Sequence, residues 1–283
     1  MPIRKRYQFK DEQGFSVEGV RVGRLNLGIN TTFIIYRLGD TLIDAGPSNQ
    51  WSEVKSFIQQ QPVHRLLLSH HHEDHSGNAA RIAQGCQLTP YAPQQAKHKF
   101  DDGYRTPILQ KVIWGEPKPV KTQPMPGSQQ LEGYGEVVAI HTPGHAKDLH
   151  CFYLPERKWL FSGDLYISKS LRMLRKDENL AQIMLSMNKV LQLDFDVLFC
   201  PHRGILEDGK HAMAEKLNNM LELCERAQGL KQSGLSNKAI AKKLLGPEEA
   251  VGYLTGFNFS KINLINQAVE VDLSIINSPT VHI

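Results

Sequence analysis

The sequence predicts an α+β fold, a two-sheet sandwich with helices outside and a helical C-terminal region. Three observations predict it. Short apolar runs rich in Val, Leu, Ile, Phe or Trp recur up to residue 202, and several stop at a His or an Asp. Helical patterns alternate with those runs. After His202 longer helical patterns take over.

Along the chain, Val17 to Arg24, Asn30 to Leu38 and Asp40 to Asp44 read as a strand meander with Gly turns. Gln50 to Gln61 reads as a helix with Trp51, Val54, Phe57 and Ile58 on one face. Val63 to Ser69 is a short apolar strand, and Ser76 to Ala83 reads as a helix start. Gln94 to Gly127, Lys- and Pro-rich, reads as a surface excursion near the active site. Strands at Glu136 to Ile140, Trp159 to Phe161 and Phe195 to Cys200 follow. Leu165 to Asn179 carries Lys169, Arg172, Arg175 and Lys176, a basic wall for a pocket or a solvated helix start. Lys210 to Lys231 is a long helix, Ser236 caps a helix that stops at Gly246, Pro247 opens another, and Ser260 caps Lys261 to Val271. The expected division is a catalytic domain over residues 1–210 and a helical domain over residues 211–283. The Ser236 to Gly246 piece also reads like half a helix-turn-helix, without a basic recognition helix to complete it.

Chemistry concentrates where the Val63 to Ser69 strand stops. His70-His71-His72-Glu73-Asp74-His75 presents the pattern His-x-His-x-Asp-His. Neutral imidazole and carboxylate suit zinc and other borderline divalent metals. A strand-to-helix loop is where a rigid scaffold presents such groups. Three later strand ends present further candidates: His145 after a Thr-Pro-Gly turn, Asp164 after Ser162-Gly163, and His202 after Cys200-Pro201. His71 and Glu73 alternate with the candidates and are expected to point away. His141 is expected to be an ordinary strand residue, and His64, His98, His150, His211 and His282 surface or packing residues. Asp148 is read either as a partner supporting a ligand or as a loop cap.

The order His-x-His-x-Asp-His, then His, Asp and His, resembles the metallo-β-lactamase-fold hydrolases. The resemblance spans roughly the first three quarters of the chain and includes Thr41-Leu42-Ile43-Asp44-Ala45-Gly46. It implies an αββα sandwich; the helices after His202 resemble the small winged-helix-like tail of some relatives, or read simply as a helical tail that packs beside the active site and shapes the substrate cleft. It implies two divalent metal ions, zinc first, with iron or manganese as alternatives. His70, His72 and His145 would hold one; Asp74, His75 and His202 the other; Asp164 would bridge them. Asp44 would order the ligand loop through hydrogen bonds. His72 sets the chain apart from flavodiiron relatives with Glu there, and Asp74 from β-lactamases with a Cys-containing second site. Ser69 stands for the commoner Thr, and Pro201-His202-Arg203-Gly204 for the commoner Gly-His-Gly.

Two such ions would supply an activated water for attack on a carbonyl or phosphoryl group, with Asp74 or Asp164 as the catalytic group that would orient it and accept its proton. The Ser69 to His75 run is similar to that of glyoxalase II, which points to hydrolysis of an ester, a thioester or a lactone. A phosphodiesterase or endoribonuclease is the alternative, and a metal-binding or interaction protein without catalysis is a third reading. In the lactone variant Tyr166 assists the leaving oxygen. The expected partner is a small-molecule acyl substrate, with RNA as the alternative; no membrane is expected, and a homodimer is compatible.

Composition bounds the class. The chain has 283 residues, 41% hydrophobic content and a formal net charge of +4. That charge is too slight to argue for nucleic-acid binding by itself. Cys86, Cys151, Cys200 and Cys224 lack Cys-x-x-Cys spacing and read as buried residues of a reducing compartment. The basic start Met1 to Lys10 has no apolar stretch behind it, so the expected location is cytoplasmic.

Overall fold

The computed structural model of the chain describes residues 3–24 and 31–276. The expected strand start at Asn30 and the reading of His282 lie outside the described residues. The chain divides into two compact units. The first comprises Met1–His141, Asp148–Ile167 and Phe195–Glu207; the second comprises Thr142–Lys147, Ser168–Asp194 and Asp208–Ile283.

Two sheets form the first unit. One runs in the order β1 (Ile3–Lys10), β2 (Ser16–Gly23), β3 (Phe33–Leu38), β4 (Thr41–Ile43), β5 (Arg65–Leu67), β6 (Tyr91–Ala92) and β7 (Gln123–Pro124). It is antiparallel as far as β4 and parallel beyond, with Tyr36 opposite Ile43 and Ile43 opposite Leu67. The other sheet holds β8 (Ser128–Leu131), β9 (Gly135–His141), β10 (His150–Leu154), β11 (Trp159–Phe161), β13 (Val197–Cys200) and β14 (Gly204–Leu206), in the order β14-β13-β11-β10-β9-β8. Strand β12 (Leu174–Arg175) pairs with β15 (Phe259–Ser260) in the second unit. Helices α1 (Trp51–Ile58), α2 (Glu73–Ser76), α3 (Ala79–Cys86), α4 (Lys97–Asp102) and α5 (Ile108–Trp114) belong to the first unit. Helices α6 (Leu180–Leu191), α7 (Gly209–Gln232), α8 (Asn237–Leu245), α9 (Ala250–Leu254), α10 (Lys261–Ala268) and α11 (Leu273–Ile276) belong to the second. This is the αββα sandwich with a helical C-terminal region.

The period of two along β3 builds both cores at once. Ile34, Tyr36 and Leu38 face the second sheet and meet Phe152, Trp159, Phe161 and Phe199, with Phe161 stacked on Phe199 at 4.5 Å. Phe33 and Ile35 face the other way and pack with Val54 and Phe57 of α1, Ile82 of α3, Phe100 of α4 and Trp114 of α5. Each such side chain contributes about 1.5–3 kcal/mol when fully buried. Arg37 also faces α1. Its guanidinium lies over Phe57 at 4.8 Å and donates to the Ile58 carbonyl at 3.1 Å, where a helix end leaves acceptors unmet.

Several elements differ from their expected bounds. Helix α1 ends at Ile58, three residues before Gln61. Helix α2 begins inside the ligand run, with His72 as its N-cap, so Asp74 and His75 sit on a helical turn rather than a loop. The Gln94 to Gly127 stretch carries α4 and α5, and Trp114 is buried against the core. No helix begins in 165–179, where the short 3-10 turn Gly163–Leu165 only ends; α6 starts at Leu180, where the Asn179 side chain accepts from Gln182 N–H. Pro247 does not open α9, because Glu249 is extended and the helix begins at Ala250.

The caps at Ser236 and Ser260 are present, accepting from Ala239 and Asn263 N–H. Buried Lys261 donates to the carbonyls of Leu245 and Pro247, closing the end of α8. No helix among the described residues is long and apolar enough to cross a membrane.

Candidate metal centre

Parallel pairing of β4 with β5 and of β11 with β13 brings four strand ends of the first unit to one edge. Asp44 follows β4, the run Ser69 to His75 follows β5, Asp164 follows β11, and His202 follows β13. Ligand atoms of His70, His72 and Asp164 lie within 4.8 Å of one another, and so do those of Asp74, His75 and His202. All six are buried. Asp164 also touches the second group: its Oδ1 is 3.1 Å from His75 Nε2 and 3.2 Å from His202 Nε2. Asp74 Oδ2 is 3.4 Å from His202 Nε2.

Asp44 organises this edge. It accepts from Ser69 N–H at 2.7 Å and from the Ser69 hydroxyl at 2.8 Å, and lies 2.7 Å from His75 Nδ1. Its φ of 62° is left-handed, a region Asp tolerates better than most residues. The Ser69 hydroxyl proton goes to Asp44, so Nδ1 of His70, 3.1 Å away, donates to that oxygen. His202 Nδ1 donates to the Thr32 carbonyl at 2.9 Å. These outer bonds fix the tautomers and turn the Nε2 atoms of His70, His75 and His202 inward, as metal-ligating imidazoles require. His70 Nε2 then faces His72 Nδ1 at 2.9 Å. The Phe33 edge packs against the rings of His75 and His202 at 4.6 and 5.7 Å.

The local charge asks for cations. Burial drives the His75 pKa down, but the carboxylates of Asp164, Asp44 and Asp74 reverse this and hold it well above the ordinary value. Burial likewise lowers His202, and Asp164 with Asp74 raises it overall. Buried carboxylates that draw protons onto neighbouring imidazoles are a fitting cradle for divalent ions, and the donor set is one that zinc accepts.

Comparison with known proteins agrees. The profile of the metallo-beta-lactamase superfamily matches residues 25–202. The chain belongs to this superfamily. It is 26% identical over 197 residues to a hydroxyacylglutathione hydrolase of Bartonella tribocorum, covering 69% of this chain and 70% of that one. It is 24% identical over 235 residues to an atrochrysone carboxyl ACP thioesterase of Aspergillus fumigatus, covering 81% and 67%. A beta-lactamase domain protein from Burkholderia ambifaria shares the fold with a TM-score of 0.70 at 15% identity, over 95% of this chain and 88% of that one. Superfamily and paired His/Asp clusters together describe a metallohydrolase.

In this metallo-beta-lactamase chain His145 stands in the second unit, on the segment Thr142–Lys147. Its Nδ1 is 2.5 Å from Glu178 Oε1, and Glu178 Oε2 accepts from Arg175 N–H at 2.6 Å. Gln267 of α10 donates to the Glu178 carbonyl and accepts from Leu180 N–H. Sequence reasoning missed Glu178, since nothing local marks a carboxylate 33 positions from its histidine. It also missed the proximity of Trp114, whose ring lies 6.4 Å from that of His202.

Asp148 pairs with His71 rather than with any residue of the two clusters, at 2.8 Å from its Nδ1. Burial pushes the Asp148 carboxyl up, and His71 reverses the effect and leaves it below its usual value. His141 ends β9 with its ring 5.0 Å from that of His150, and His64 contacts Asp40 at 3.3 Å. His150 is buried against the Asp148 carbonyl. Tyr166 is buried too.

The raised histidines have a pH signature in the metal-free protein. Their contribution to stability is fully present below about pH 6.5, the unfolded value, and is lost as pH rises through the higher folded values. Metal-free protein is therefore expected to lose stability on the alkaline side, and metal uptake near about pH 7 to release protons. Calorimetric titration in buffers of different ionisation enthalpy measures that release. Proton-neutral uptake would contradict the assignment.

Proposed function

We propose that the protein is a binuclear metal-dependent hydrolase that cleaves an ester, thioester or lactone carbonyl, with zinc as its metal. The observation that carries this is Asp164: its carboxylate belongs to the cluster with His70 and His72 and also touches His75 and His202. One carboxylate shared by two donor sets suits a pair of ions. His70, His72 and, by its place in the sequence motif, His145 would hold the first; Asp74, His75 and His202 would hold the second. When bound, such ions lower the pKa of water towards about 7 and polarise the substrate oxygen. Asp74 Oδ2 lies 3.4 Å from His202 Nε2, and Asp74 is assigned as the acceptor for the proton of the attacking water. Asp44 and Ser69 hold the ligand run in place, so little reorganisation accompanies the reaction.

Similarity to a hydroxyacylglutathione hydrolase and to an ACP thioesterase supports an acyl substrate, and among acyl groups a thioester first. The phosphodiesterase alternative draws on the basic stretch after Asp164. There Lys169 is turned to Glu215, Arg172 to Glu249 at 3.1 Å and Arg175 to Asp177 at 2.6 Å. Those carboxylates leave less positive charge for phosphates. The test is turnover of an ester, a thioester, a lactone, a phosphodiester and a short single-stranded RNA, each with and without chelator. Chelator-sensitive turnover of acyl compounds alone is the expected result; cleavage of RNA or phosphodiester alone would overturn it.

A further inference from the structure

His71 lies between two proposed ligands without being one, yet it is held from both sides. Asp148 accepts from its backbone N–H at 2.9 Å and stands 2.8 Å from its Nδ1. Lys99 Nζ is 2.8 Å from its Nε2. An ammonium only donates, so Nε2 is the acceptor and Nδ1 carries the proton to Asp148. The Tyr104 hydroxyl donates to the His71 carbonyl at 2.7 Å, and its ring stands edge-on to the imidazole at 5.2 Å. Lys99 is thereby fixed by a chain of bonds that begins at a buried carboxylate.

The charge of Lys99 is not spent inside the fold. Lys97 and Lys121 turn to Asp101, but Lys99 and Lys118 meet no carboxylate among the described residues. Lys99 and Lys118 line one small pocket of the first unit, together with Ser76, Phe100, Tyr104 and Val120. That pocket adjoins the ligand run: Ser76 follows His75 directly, and the His71 ring is 4.8 Å from the His72 ring. One immobilised ammonium, a second beside it, and aromatic and apolar walls make a recognition site for an oxyanion.

We propose that Lys99, supported by Lys118, is a specificity-determining residue that binds a carboxylate or phosphate group of the substrate while the acyl bond lies at the metal centre. This rests on the hydrolase reading above. Asp148 and His71 are its positioning residues, and their spacing from the ligands sets how far the anionic group stands from the scissile bond.

The test compares S-acyl thioesters of 3-mercaptopropionate, of its amide, and of 2-mercaptoethyl phosphate, with wild-type protein, Lys99→Met and Lys99→Arg. For Lys99→Met, kcat/KM on the preferred anionic substrate is expected to fall about 10- to 100-fold, mostly through KM, the size of one hydrogen bond to a charged group. On the neutral amide it is expected to change little, with metal content intact and Lys99→Arg keeping most activity. Which anionic thioester responds separates a carboxylate from a phosphate ligand. Equal losses on the neutral and anionic substrates, or lost metal, would overturn the proposal. If wild-type protein cleaves none of the three, the hydrolase reading loses these substrates, and acetylation footprinting of the metal-loaded protein decides the anion site. Succinate or inorganic phosphate is expected to protect Lys99 and Lys118 but not exposed Lys10. No protection there would overturn it.

Discussion

Asp164→Ala is expected to abolish binuclear metal binding and lower turnover by about a thousandfold or more, as deletion of a group acting in a catalytic unit does. The physical reason is position. Asp164 enters by way of Gly163, at a φ of 46°, shortly after β11, and its Oδ1 lies 3.1 and 3.2 Å from the Nε2 atoms of two buried imidazoles. Without that carboxylate, each donor set loses an anionic member in a buried site, and His75 loses the largest of its raising influences. Metal content by mass spectrometry and chelator-sensitive turnover read the result together. Asp164→Asn keeps the shape and one oxygen while removing the charge, so it separates charge from packing: it is expected to fold normally yet bind metal weakly. A variant retaining two metals and full turnover would remove Asp164 from the centre.

Asp44→Ala carries the second large effect, and it falls on the fold as well as on the site. Asp44 is buried and meets Ser69 N–H, the Ser69 hydroxyl and His75 Nδ1, all within 2.8 Å. Removing it leaves those donors without their acceptor and places a β-carbon with no compensating bond at a φ of 62°. A loss of about 3–5 kcal/mol in unfolding free energy is expected, the range for breaking a buried charged partnership. Asp44→Asn tolerates the left-handed backbone and keeps one acceptor. Its expected effect is smaller on stability and about 10- to 100-fold on metal affinity, since the partner that orients a ligand has weakened. Urea denaturation and metal competition measure the two quantities separately. Unchanged metal affinity in Asp44→Asn would show that His75 is oriented by other contacts.

The sequence made the donors legible because each proposed ligand sits beside a local signal. His70 to His75 follows an apolar strand, Asp164 follows Trp159-Leu160-Phe161, and His202 follows Val197 to Cys200. The alternation of Phe33 to Leu38 carried the two-sided core in the same way. What was not legible lies in pairings between distant residues. His71 alternates with the proposed ligands and carries no local signal of its own, yet Asp148 and Lys99 hold it from 77 and 28 positions away. Glu178 was hidden among lysines and arginines that drew attention to positive charge. Helix α2 is only four residues long, too short for any periodicity to mark its start at Glu73. The misplaced start of α9 has a similar cause: Pro247 suits a first helical turn, but the side chain of Glu248 bonds to Glu249 and Lys261 N–H instead.

Metal stoichiometry of the reconstituted wild-type protein tests the central claim most directly. Protein stripped by chelator and titrated with zinc should take up two ions per chain, and acyl-ester or thioester turnover should return as they bind. A single ion at saturation, or full turnover in the stripped protein, would contradict the binuclear centre and the hydrolase built on it.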